Sequence, residues 1–162
     1  MFNICQVILA VTVTFALAMS APLAVEAQSL TERDTKEVAD YVLTDATLAK
    51  YTKAVHNLHP LKEQLQQDCD REDAQDSLND MAARMDAVPA VHSALKAAGM
   101  TAREYILFSF SLFQNGMTVW TIDQSGGALP PGTNPANITF YRAHKAELEK
   151  LGELTSEMDC DN

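Results

Sequence analysis

Cysteine is scarce. The 162 residues hold three, Cys5, Cys69 and Cys160. None forms a Cys-x-x-Cys-His run, so covalent haem attachment is excluded. Positive charge is short as well: 12 Lys and Arg face 22 Asp and Glu, a net charge of −10. A surface of that sign repels phosphate backbones and anionic membranes, which argues against nucleic-acid binding. Strand signals are few. There is no Asp-Gly hairpin turn and no sustained alternation of apolar and polar residues. Nucleophile motifs are missing too: no Gly-x-Ser-x-Gly and no phosphate-binding glycine loop. An enzyme is therefore the least supported class, and no catalytic residue is assigned.

Two features stand against this sparse background. The first is the amino-terminal run, apolar from Val7 to Met19, with Val25 and Ala27 spaced as a small-residue cleavage site. This reads as a signal peptide over residues 1–27, although no Lys or Arg precedes the run. An uncleaved anchor is the alternative, but the run is short against the roughly 20 residues a span needs. The remaining chain, 28–162, is expected to be one exported domain, periplasmic or secreted, with a charge of −9 once Glu26 is lost. In an oxidising compartment Cys69 and Cys160 form a natural disulfide pair. Closing that loop is worth roughly 4.5 kcal/mol in the chain-entropy model. Two separate thiols are the alternative.

The second feature is "AGMTAREYILFSFSLFQNGMTVWTID", which carries no charge from Tyr105 to Ile122. Its start is marked by a Thr101-x-x-Glu104 capping box, with Met100 and Tyr105 placed for a hydrophobic staple. At about 100° per residue, Phe108, Val119, Tyr105, Trp120, Phe113 and Met117 fall on one broad apolar arc. Gln114, Thr118, Ser111, Asn115 and Thr121 form a neutral polar stripe opposite. A lipid-facing span would not gather such residues without a partner helix. The run is expected to be the central, largely buried helix of a soluble bundle, at about 102–123. Ser109 and Gly116 lie near the middle of the apolar arc. Small residues there admit either a closely packed helix or an apolar ligand.

Other helices follow from periodicity. A short one starts near Thr31 and buries Val38, Tyr41 and Val42. Leu48, Tyr51, Val55 and Leu58 form the stripe of a second that starts after Thr44 and is interrupted at Pro60. Residues 72–87 form a third, and Pro89 opens a short helix that Gly99 ends. Asn134 and Pro135 suit the start of a last helix running to about 155. The expected fold is all-α, a compact bundle of four to five helices.

Candidate chemistry is thin. His144 falls on the apolar face of the last helix, with Phe140, Tyr141, Leu148 and Leu151. A satisfied core histidine is the bland reading; a haem or metal ligand in a non-covalent haem- or metal-binding bundle is the sharp one. His56 and His59 share no obvious site with a carboxylate. The acidic stretch from Asp68 to Asp76 fails the calcium-loop pattern, since Asp73 and Asn79 occupy the required Gly and Glu positions. Asn137-Ile138-Thr139 matches a glycosylation sequon.

Three segments, "YVLTDATLAKYTKAV", "LKAAGMTAREYILFSFSLFQ" and "NPANITFYRAHKAELEKL", resemble small exported bacterial proteins of unknown function. These share a Gly-x-[Ser/Thr]-x-Arg-Glu-Tyr helix start and an Asn-Pro-Ala-Asn helix start. The resemblance implies export and a helical fold. It transfers no activity and no site residue. The expectation is thus a non-enzymatic binding or interaction protein with no resident cofactor. It would take a partner protein or a small apolar ligand in a groove at Ser109, Gly116 and His144.

Overall fold

The computed structural model describes residues 31–66 and 77–158. The expected signal segment, the expected disulfide pair Cys69–Cys160 and the acidic stretch from Asp68 to Asp76 lie outside the described residues. What is described is all-α: α1 Glu32–Asp40, α2 Asp45–Leu58, a 3₁₀ turn His59–Leu61, α3 Lys62–Gln66, α4 Leu78–Ala87, α5 Pro89–Ala98, α6 Ala102–Ser125, α7 Pro135–Ala143 and α8 Lys145–Ser156. Among the described residues, no helix is long and apolar enough to cross a membrane.

Local chemistry explains most helix ends. The hydroxyls of Thr31, Thr44, Ser77 and Thr101 accept the amides of Asp34, Thr47, Asp80 and Glu104. These satisfy donors that a helix start leaves unpaired. At α6 the box is reciprocal: the Glu104 carboxylate accepts the Thr101 amide at 2.9 Å. Pro60 converts the end of α2 into the 3₁₀ turn, and Pro89 supplies the first residue of α5. Gly99 closes α5 at φ 78°, a left-handed conformation that costs other residues energy.

Among the described residues there are eight α-helices, more than the four to five expected, partly because the last one is broken. His144 adopts φ −104°, ψ 9°, outside the helical range, and separates α7 from α8. No proline or glycine marks the break. The first helix also ends earlier than its apolar pattern suggests. Tyr41 lies in extended backbone after α1, and Val42 is 53% exposed.

α6 is central, packing against α1, α2, α4, α5 and α7, while α8 lies on α2. The core gathers Leu48, Val55 and Leu58 of α2, Leu78 of α4, Val91 and Leu95 of α5, and Phe108 of α6. The Phe108 ring meets Tyr41 edge-on at 6.2 Å and Tyr51 at 4.7 Å. Buried polar side chains tie the ends of elements together. Asp34 accepts the Leu78 amide at 3.2 Å, joining α1 to the start of α4. Asn137 accepts the Leu43 amide at 3.0 Å and donates to the Tyr41 carbonyl at 2.7 Å. It thus satisfies the extended link between α1 and α2. This settles the sequon reading: Asn137 is buried and spends its amide on the fold, leaving no room for a glycan.

Arg103 adds a strut on the surface. Its guanidinium grips both oxygens of Glu37 at 2.6 Å and Asn79 at 2.8 Å, joining α1, α4 and α6. The Arg103 hydrogen bond holds the Glu37 carboxyl below the usual carboxylate range.

Candidate functional site: an apolar cleft beside the central helix

The cleft is built from four helices. α6 contributes Ser109, Phe110, Leu112 and Phe113, α2 contributes Tyr51, and α8 contributes Leu148, Leu151, Gly152 and Thr155; Tyr141 of α7 closes one end. The space is about 500 Å³, within the roughly 300–1,000 Å³ of small-molecule sites. No lining residue is charged. Hydroxyls supply what polarity there is. Ser109 Oγ lies 2.9 Å from the Tyr105 carbonyl and 3.2 Å from the Tyr51 hydroxyl. Thr155 Oγ1 donates to the Gly152 carbonyl at 3.1 Å. The Tyr51 ring stacks on Tyr105 at 5.1 Å, which stiffens that wall.

Gly116 and Gly152 play opposite parts. A methyl group built on Gly116 would stand 2.8 Å from the Tyr141 hydroxyl, so the phenol already fills the space this glycine opens. A methyl group built on Gly152 meets nothing within 4 Å. The open room is at Gly152 on α8, which sequence reasoning passed over. Its signal was faint: an isolated glycine inside a helical pattern.

Of the three groove residues expected from sequence, the structure places Ser109 in the cleft. Gly116 is a packing site, for the reason just given. His144 lies outside. It stands at the α7–α8 break, its ring 4.5 Å from Phe140, its Nε2 2.8 Å from Asp45 and its Nδ1 3.5 Å from Glu147. A carboxylate thus lies near each ring nitrogen, Asp45 within hydrogen-bond distance and Glu147 farther off. The side chain pins the break to the start of α2. The core position expected for it assumed one continuous last helix, and the break turns it toward Asp45.

Two of the other histidines are also paired. His59 Nε2 lies 2.9 Å from Glu157, and His92 Nδ1 lies 2.9 Å from Asp86. The His59 contact lowers the Glu157 carboxyl below its usual range. His56 is exposed on α2, while His59 lies in the 3₁₀ turn that follows. Among the described residues, no group of three or more His, Cys, Asp and Glu is placed to hold a metal ion.

The second half of α6 departs most from expectation. Ser111 and Asn115, assigned to an outer polar stripe, are buried, while Phe113, Met117 and Trp120 face out at 68%, 48% and 60% exposure. The cause is what the helix meets. Beyond Phe108 its inner face runs along the end of α1, where Ser111 Oγ donates at 3.2 Å to the Val38 carbonyl, which also accepts the Tyr41 amide. Asn115 Nδ2 donates to the Ser111 carbonyl at 2.7 Å.

No protein-family model, no curated protein and no solved structure matches this chain.

Proposed function

We propose that this is an exported, non-enzymatic binding protein that takes a small, uncharged, largely apolar ligand in the α2–α6–α8 cleft. The single observation that carries the reading is the lining. About 500 Å³ is walled by apolar and hydroxyl side chains without one charge, in a chain of net charge −10. A charged ligand group would lose its hydration there without a partner. An aromatic ring or acyl chain would lose only unfavourable contact with water. The Tyr141 hydroxyl makes no hydrogen bond to the protein among the described residues. It is the natural handle for one polar atom of the ligand.

Titration with the uncharged probe N-phenyl-1-naphthylamine tests this. The expected result is a saturable rise in probe fluorescence with one site per chain. Gly152→Leu should abolish the rise while leaving the unfolding midpoint in place, because its side chain grows into open space. Absence of saturable uptake, or uptake indifferent to Gly152→Leu, would overturn the proposal. Loss of uptake in Trp120→Gln alone would move the probe to the outer face of α6.

A further inference from the structure

We infer that the outer face of α6 is a self-association surface, on which a second copy of this chain packs its own α6. Phe110, Phe113, Met117 and Trp120 follow one another at spacings of three, four and three. That is the pattern of a helix–helix seam. Phe110 packs partly against the core, but Phe113, Met117 and Trp120 are each about half exposed or more within the described chain. Rotating the helix cannot bury them. Its inner face is fixed by the Ser111–Val38 hydrogen bond and by the Tyr141 ring against Gly116.

Charge selects the occupant. The chain is strongly acidic, yet Tyr105 to Ile122 carries no charge. Asp123, at the end of the seam, is neutralised by Arg142 at 2.7 Å. A cationic partner would find nothing to grip on this face. An anionic membrane would be repelled by the rest of the chain, and the seam lacks the Lys and Arg flank of an interfacial helix. A second copy presents the same neutral seam. Two acidic chains can then meet there without opposing carboxylates, in the self-complementary manner of a two-fold dimer. At about 150–250 Å² per large aromatic side chain, the three residues expose roughly 350 Å² per copy. Doubled, and with a polar rim added, this reaches the lower end of specific interfaces, at about 1,200 Å². The dimer is therefore expected to be reversible.

Trp120 is the only tryptophan, so it reports on the seam alone. Sedimentation velocity and tryptophan emission are measured on the purified protein from micromolar to millimolar concentration, with a reductant present to exclude disulfide dimers. The expected result is a rising dimer fraction accompanied by a blue shift. Met117→Lys and Phe113→Gln should leave the unfolding midpoint unchanged and the protein monomeric. Phe113 lines the cleft as well, so Met117→Lys, outside that lining, reads the seam alone, and Gly152→Leu, which fills the cleft, should not alter the dimer. The inference is overturned by a monomer with water-exposed emission at every concentration, or by a dimer that survives both seam variants. It is equally overturned by a blue shift on phosphatidylcholine vesicles in a protein that never self-associates, which would assign the face to lipid.

Discussion

The two halves of α6 are built on opposite plans. From Ala102 to Phe108 the helix turns Ala102, Ile106, Leu107 and Phe108 inward, as an amphipathic helix should. From Ser111 to Trp120 it turns Ser111 and Asn115 inward along with Val119 and leaves Phe113, Met117 and Trp120 outside. One helix, without a kink-forming residue between the halves, carries both. Residue class alone does not decide burial. The first half meets side chains, including the Tyr51 ring, and the second meets the backbone end of α1. A polar inner face costs little when it satisfies a carbonyl, and the apolar outer face is what the folded monomer leaves over.

The largest effect expected from breaking this comparison is at Phe108. Its ring is fully buried between Tyr41 and Tyr51. Phe108→Ala removes those contacts and leaves a cavity, which should destabilise the fold by about 3–5 kcal/mol. Urea unfolding followed by far-UV circular dichroism measures it. A loss under about 1 kcal/mol would mean that the first half of α6 is not the core.

Next in size is Gly116→Leu. Its side chain must displace the Tyr141 phenol, which would stand 2.8 Å from even a methyl group. Overpacking of this kind costs about 1–3 kcal/mol, and near-UV circular dichroism should report the moved tyrosine. Gly152→Leu is the internal control, since it meets open space. Equal destabilisation by the two variants would contradict the assignment of Gly116 to packing and Gly152 to the cleft.

How far the sequence foretold this depends on the range of each signal. The all-α class, the Thr101–Glu104 box, the break at Pro60 and the Gly99 cap are set by neighbours within four residues, and all were legible. The α2 stripe was legible too, because Leu48, Tyr51, Val55 and Leu58 all face one apolar core. The second half of α6 was misjudged, because its inner face is decided by Val38, some 73 positions away. His144 failed in the same way: its partner Asp45 lies on another helix. Of the candidate cleft, Ser109 was visible and Gly152 was not, since a lone helical glycine looks the same above a packed ring and above open space.

A smaller effect is expected at the Arg103–Glu37 strut, which braces the first half of α6. The Glu37 carboxyl is held below its usual value by Arg103. A lowered carboxylate stabilises the fold above its unfolded value, about 4.3, and the benefit is lost as pH falls through the folded value. Arg103→Met should therefore cost about 1 kcal/mol at neutral pH, the pair being one-third exposed, and close to nothing well below that window. Urea unfolding of both proteins at neutral and acid pH checks it. A deficit that persists undiminished in acid would assign the loss to packing of the Arg103 stem.

The smallest effect is expected at Phe113, and it bears most directly on the difference between the two halves. Phe108 and Phe113 are the same residue on the same helix, one fully buried and the other 68% exposed. Phe113→Ala removes little that the monomer buries, so in dilute solution its unfolding free energy should stay within about 0.5 kcal/mol of the parent. Concentrated protein should behave differently. If two copies pair through this face, association adds stability by mass action and makes the parent's Tm rise with concentration. The Phe113→Ala protein should lack that rise, so the two melting curves coincide when dilute and separate as concentration increases. Coincidence at all concentrations would leave Phe113 as an exposed ring at the mouth of the cleft and nothing more. A large loss even in dilute solution would show that Phe113 is covered within the single chain.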